Sequence, residues 1–116
     1  MKIVVADDSS LLRDRICTFI KSVNESLVIY EAENGRMAMD LICANHPDLV
    51  ILDIRMPEMS GIDVLKKIKE LEIHTKVCML TNYPFPQYKK KCYELGADYF
   101  FDKNMEFKKL SGILGQ

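Results

Sequence analysis

Five residues of this sequence could do chemistry together: Asp7, Asp8, Asp53, Thr81 and Lys103. They stand at or just beyond the ends of short apolar runs. Three carboxylates brought close together repel one another, and one of them holds its proton more tightly unless a cation is present. An all-oxygen acidic set of this kind suits Mg2+, which keeps several waters and takes few protein carboxylates. The positions such a metal leaves open accept phosphoryl oxygens, and its charge offsets both the carboxylates and an incoming dianion. Attack by an Asp53 oxygen on phosphorus would give an aspartyl phosphate. Thr81 would then hydrogen-bond one phosphoryl oxygen, and the Lys103 ammonium would pair with another. Taken singly, each residue has an ordinary use. Asp8 could cap a helix, Thr81 could simply end a strand, and Lys103 could be a solvated charge. Their joint placement points to phosphoryl chemistry.

The five can meet only if the runs before them are neighbouring strands. Those runs are Ile3–Ala6, Val28–Glu31, Leu49–Leu52, Val77–Leu80 and Tyr99–Phe101. Ile3-Val4-Val5 and Leu49-Val50-Ile51-Leu52 are apolar without alternation, which suits parallel strands covered on both faces. Between the runs, apolar residues recur at helical spacing: Leu12, Ile16, Ile20 and Val23; Met37, Ala38, Leu41 and Ile42; Leu65, Ile68 and Leu71; Tyr88, Cys92 and Leu95; Phe107, Leu110 and Leu114. Ser60 and Asp63 form a capping box at the start of the third helix. Asn34-Gly35 precedes the second helix and Pro47 stops it. Gly96 suits the position just after the fourth, and Asn104 is a candidate N-cap for the fifth. Five strand–helix units predict an α/β fold of the (βα)5 type, a doubly wound five-stranded parallel sheet with right-handed crossovers. Chemistry in such sheets gathers at the carboxyl ends of the strands. The second run ends in Glu31-Ala32-Glu33, which this reading places away from the centre.

Composition sets outer limits. At 116 residues the chain is expected to be one domain, 1–116, with no output domain. Hydrophobic residues are 48% and charged residues 28%, an ordinary globular balance. Sixteen basic and seventeen acidic residues argue against direct binding of nucleic acid or an anionic membrane. Cys17, Cys43, Cys78 and Cys92 have no zinc spacing and no leader before them, so they read as four buried, reduced thiols of a cytoplasmic protein. No apolar run approaches the ~18 residues that a membrane span needs.

The residues around these positions resemble the response-regulator receiver domain of two-component signalling. The likeness lies in Val4-Val5-Ala6-Asp7-Asp8-Ser9, in the stretch from Pro47 through Leu52-Asp53-Ile54-Arg55-Met56-Pro57 to Gly61, in Leu80-Thr81, and in Gly96-Ala97-Asp98-Tyr99-Phe100-Phe101-Asp102-Lys103. It covers essentially the whole chain. The resemblance implies the strand order 2-1-3-4-5. It implies Asp53 as phosphoacceptor, and Mg2+ held by Asp7, Asp8, Asp53 and the backbone carbonyl of Arg55. Thr81 would be the switch hydroxyl, Lys103 the phosphate-pairing lysine, and Phe100 the switch aromatic that turns inward on phosphorylation. Arg55, Asn82 and Tyr83 would tune the lifetime of the phosphoryl group. The implied partners are a sensor histidine kinase or histidine phosphotransfer protein, and a downstream effector or output domain. A homodimer through the fourth helix, fifth strand and fifth helix is a further implied contact. Such a protein is a signalling switch that catalyses only its own phosphorylation and dephosphorylation.

Two positions depart from that family's pattern. Asn104 stands where a proline usually follows the lysine in a cis bond, so this bond is either trans or strained. Asn82 stands where a small residue is usual and could hinder a phosphodonor or hydrogen-bond the phosphate. These departures motivate an alternative, a degenerate receiver-fold module that binds partners independently of phosphorylation. Pro84-Phe85-Pro86 crowds the start of the fourth helix, where a proline at the first helical position is the ordinary explanation. Lys89-Lys90-Lys91 reads as a solvated face. Phe85 and Tyr88 could be partly exposed partner contacts, and Met37, Met39, Met56, Met59, Met79 and Met105 read as filling of core and loops. His46 and His74 have no metal partner at useful spacing. The five glycines never form a dinucleotide-binding loop, and the adjacent acids are not the D-x-D of an aspartyl phosphatase.

Overall fold

Leu49-Val50-Ile51-Leu52 is apolar at every position, and all four side chains are buried. That is the signature of a strand covered on both faces, and it marks the middle of the sheet. The structure is a computed structural model that describes residues 1–114. In chain order it runs β1 (Lys2–Ala6), α1 (Ser10–Val23), β2 (Val28–Ala32), α2 (Gly35–Asn45), β3 (Leu49–Leu52), α3 (Gly61–Glu70), β4 (Lys76–Thr81), α4 (Pro86–Glu94), β5 (Tyr99–Asp102) and a final 3-10 helix (Phe107–Ile113). The five strands are parallel and lie in the order β2-β1-β3-β4-β5.

Alternate strand residues feed two cores. Val4, Val50, Leu52, Val77 and Met79 face α2, α3 and α4, where Ile42, Leu65, Ile68 and Cys92 cover them. Ile3, Val5, Ile51, Cys78 and Leu80 face Ile16 and Ile20 of α1 and Leu110 of the 3-10 helix. β2 lies at the edge, and its Val28 is exposed. The register aligns Ala6 of β1 with Leu52 of β3, and Thr81 of β4 with Asp102 of β5. One residue further along, β1 delivers Asp7, β3 delivers Asp53, and β5 delivers Lys103. The ladder extends to them: Asp53 N–H donates to Ala6 O at 3.0 Å and Lys103 N–H to Thr81 O at 2.8 Å.

Several local expectations hold. Ser60 and Asp63 make both bonds of a capping box. Asn34 caps α2 through its side chain, Pro86 occupies the first turn of α4, and Gly96 takes φ +97° after the C-cap Leu95. Others are corrected. The last element is a 3-10 helix rather than an α-helix, in keeping with Ser111 and Gly112, both poor α-formers, in its short span. Asn104 does not cap it; its N–H donates to Asp102 Oδ1 at 2.9 Å in a turn that precedes the helix. α1 is capped by Ser9, which accepts from Leu12 N–H at 3.2 Å, and not by Asp8. Val23 and Leu71 lie past the buried faces and are exposed. Cys78 and Cys92 are buried, but Cys43 is exposed and Cys17 half-buried, all as free thiols. Met37 and Met105 are exposed rather than core-filling. None of the helices among the described residues is long and apolar enough to cross a membrane.

Candidate functional site

Among the described residues, the buried polar or charged side chains are Asp7, Asp53, Thr81 and Lys103, at 1%, 7%, 0% and 5% exposure. Burying a charge costs heavily unless it is paired, so their convergence at one edge of the sheet requires explanation. Asp7, Asp8 and Asp53 each offer a carboxylate oxygen, all within 4.8 Å of one another. The Lys103 ammonium bridges two of them, bonding Asp7 Oδ2 and lying 3.3 Å from Asp53 Oδ2. The second oxygens are also engaged: Asp7 Oδ1 accepts from Ser9 N–H at 2.9 Å and Asp53 Oδ1 from Ile54 N–H at 2.8 Å. Asp8 is exposed at the mouth.

One ammonium does not balance three carboxylates. Burial pushes the Asp53 carboxyl above its usual value, Lys103 pulls it back, and the Asp7 charge raises it again. The net rise is chiefly the cost of burial, and the charge deficit is the formal one of three carboxylates against one ammonium. A hard divalent cation with oxygen ligands fits that donor set and that deficit.

The peptide bond between Lys103 and Asn104 is trans, since the chain contains no cis bond among the described residues. Lys103 reaches both aspartates without the proline. Thr81 Oγ1 accepts from Tyr83 N–H at 2.9 Å, which leaves the hydroxyl proton available to an acceptor in the pocket. Asn82 is exposed beside it. Phe100 is 4% exposed and packs within the core under α4. Arg55 follows Asp53 by two residues, with its guanidinium carbon 4.0 Å from the Tyr83 ring centroid. An open cavity of about 510 Å³ adjoins the acids, lined by Asp8, Ile54, Arg55, Met56, Ser60 and Tyr88 among others. Phe85 is exposed and Tyr88 half-buried, as their positions predict.

The sequence reading missed the groups that hold the acids in place. Arg13 donates to the Asp7 carbonyl at 2.7 Å and its Nε to Glu31 at 3.3 Å, which pins the backbone at Asp7. Only the i, i+6 spacing from Asp7 hints at this, and that spacing is no signal by itself. Gly61 N–H donates to Ile54 O at 2.8 Å, and a Cβ on Gly61 would lie 1.9 Å from the Asp53 carbonyl oxygen. Gly35 makes an equally close approach to the Met59 carbonyl oxygen. These glycines let the β3–α3 loop fold tightly behind Asp53.

Residues 3–114 match the family model described as the response regulator receiver domain. The transcriptional regulatory protein YdfI of Bacillus subtilis (strain 168) is 35% identical over 83% of this chain and 45% of that protein. The protein-glutamate methylesterase/protein-glutamine glutaminase of Clostridium acetobutylicum is 35% identical over 89% of this chain and 30% of that protein. The chain thus spans about half or less of the length of these curated relatives. Among solved structures, a LuxR-family DNA-binding response regulator from Staphylococcus aureus superposes with a TM-score of 0.89 at 31% identity, covering 96% of this chain and 92% of that one. A receiver domain of a DNA-binding response regulator from Colwellia psychrerythraea gives 0.90 at 25% identity, covering 98% and 94%.

Proposed function

We propose that this chain, which belongs to the response regulator receiver family, accepts a phosphoryl group on Asp53 and uses it as a signal. The observation that carries this is the clustering of the four buried polar side chains among the described residues, Asp7, Asp53, Thr81 and Lys103, at the carboxyl ends of the strands. Asp7, Asp8, Asp53 and the Arg55 backbone carbonyl would hold Mg2+. When bound, the metal supplies positive charge against the carboxylates and the phosphoryl oxygens. Everything else is done by the chain. An Asp53 carboxylate oxygen attacks phosphorus in line. The new P–O bond forms as the bond from phosphorus to the donor breaks, and the electron pair leaves with the donor, either on an imidazole nitrogen that takes up a proton or on a carboxylate that departs as the anion. Lys103, already against Asp53, pairs with the charge that develops on the phosphoryl oxygens. Thr81 donates its hydroxyl to one of them. Hydrolysis returns the carboxylate, and Arg55, Asn82 and Tyr83 stand where they bear on that rate.

The donor is a sensor histidine kinase, a histidine phosphotransfer protein or a small acyl phosphate, in the cytoplasm. The phosphorylated form acts through the face built by α4, β5 and the final 3-10 helix on an effector, on an output domain or on a second copy of the chain. Relatives such as YdfI are named as transcriptional regulators, and output of that kind belongs to whatever this domain is joined to or binds. The protein is a switch rather than a metabolic enzyme.

Incubation with radiolabelled acetyl phosphate and Mg2+ tests the reading. Wild type should take up label, and Asp53→Asn should take up none. Equal labelling of the variant overturns it. The alternative is a phosphorylation-independent module, motivated by Asn104 and Asn82; the reach of Lys103 to Asp53 across a trans bond supports the phosphoacceptor reading. That alternative predicts equal partner affinity with and without beryllofluoride.

A further inference from the structure

We propose that Arg55 and Tyr83 form a latch between the two loops that carry the phosphoryl site, and that phosphorylation of Asp53 opens it. The inference rests on Asp53 as phosphoacceptor and adds the route by which the event reaches α4.

The Arg55 guanidinium lies over the Tyr83 ring at 4.0 Å. Arg55 is two residues beyond Asp53, and Tyr83 is two residues beyond Thr81. Their contact therefore ties the loop after β3 to the loop after β4. On the other side, the Tyr83 backbone N–H donates to the Thr81 hydroxyl oxygen at 2.9 Å. The switch hydroxyl and the Tyr83 backbone thus form one unit. Tyr83 also begins a row of rings. Its centroid is 6.3 Å from that of Phe85, and Phe85 is 5.8 Å from Tyr88. Phe85 is the N-cap of α4 and makes no side-chain capping bond, so ring packing rather than a cap restrains the start of that helix.

A phosphoryl dianion on Asp53 changes both ends of the latch. It places negative charge two residues from Arg55. A charge-assisted bond from a guanidinium to a phosphoryl oxygen is stronger than a cation–π contact open to water. Arg55 therefore leaves the ring for the phosphoryl group. Thr81, donating to another phosphoryl oxygen, either carries the bonded Tyr83 N–H with it or lets it go. Each movement shifts the Tyr83 ring, and with it Phe85 and the first turn of α4. Phe100 is buried in the core beneath α4, so the row of rings is a route to that helix separate from the switch aromatic. The part of the α4 face that responds first is then the edge made by Tyr83, Phe85 and Tyr88.

Side-chain NMR of Arg55 tests the latch. Nuclei above an aromatic ring resonate upfield. The Arg55 δ-CH2 and Nε–H signals of the free protein should be shifted upfield, should lose that shift in Tyr83→Leu, and should keep it in Tyr83→Phe. Adding Mg2+ and beryllofluoride to wild type should remove the shift. The 19F signal of bound beryllofluoride reports separately whether the Asp53 site is filled. Bound fluoride with an unmoved Arg55 overturns the latch and leaves the phosphoacceptor reading intact. No bound fluoride overturns that reading, and the latch with it. If Tyr83→Leu does not fold, Arg55→Gln supplies the second arm. The Tyr83 ring protons of the free variant should move toward their positions in beryllofluoride-bound wild type, and unchanged ring signals overturn the proposal.

Discussion

Lys103 sets the charge balance of the pocket. Its ammonium is the cation bonded to both Asp7 and Asp53, and all three side chains are nearly inaccessible. Removing one partner of a buried ion pair leaves the other charge uncompensated, at a cost of about 3–5 kcal/mol. Lys103→Met should therefore lower the unfolding free energy in urea by about 3 kcal/mol, and saturating Mg2+ should restore part of the loss. A variant as stable as wild type in metal-free buffer would contradict the pairing. Asp53 carries a second prediction. Its carboxyl is raised above the ordinary 3.8, chiefly by burial. A proton on Asp53 thus favours the folded state. That contribution is fully present below the unfolded value and is lost as pH rises through the raised one. At neutral pH the ionised group costs stability. Asp53→Asn should melt above wild type at pH 7, and the gap should close as pH falls below the usual carboxylate range. A gap that widens on acidification would reverse the sign of the argument.

The β3–α3 loop is the element that aims Asp53. It leaves β3 at Asp53, holds Glu58 at φ 66°, and closes on α3 through Ser60, Asp63 and Gly61. The close approach at Gly61 is to backbone, which cannot swing aside. Gly61→Ala should cost about 2 kcal/mol or more and reduce phosphoryl uptake as well, because the strain falls on the Asp53 peptide. Ser60→Ala removes one capping bond and should cost only about 1 kcal/mol, with uptake preserved. Chemical denaturation beside acetyl phosphate labelling separates the two effects. The elements themselves were legible for physical reasons. Uninterrupted apolar runs such as Leu49-Val50-Ile51-Leu52 can be little else than covered strands, and the acids that follow them mark the strand ends. Register follows once β1 and β3 are neighbours, so Asp7 and Asp53 had to meet. What could not be read locally depends on three-dimensional approach. Arg13 reaches the Asp7 carbonyl across a turn, and the Arg55–Tyr83 contact joins two loops far apart in sequence. The type of the last helix was not legible because the three-residue step from Phe107 to Leu110 suits both an α- and a 3-10 helix. Ser111 and Gly112 belong to the 3-10 form it adopts.

At the scale of the whole molecule, an apolar sheet sandwiched by helices concentrates its polar burial at one edge. The interior elsewhere gains from exclusion of water, while this edge holds charge that a bound cation and anion would relieve. Ligands that bind only the folded state stabilise it by mass action. Mg2+ with beryllofluoride at a hundredfold excess over the dissociation constant should add about 2.7 kcal/mol. For a domain of this size that is roughly a 10 °C rise in melting temperature. Asp53→Asn should show little of that rise, and an equal rise would place the ligand elsewhere. The most direct test of the account is to locate the phosphoryl group itself. After acetyl phosphate and Mg2+, borohydride reduction converts an acyl phosphate to an alcohol, and peptide mass spectrometry finds the altered residue. The account predicts homoserine at position 53 and nowhere else. Reduction at Asp7 or Asp8, or an unaltered Asp53 in a protein that has taken up phosphate, would contradict it.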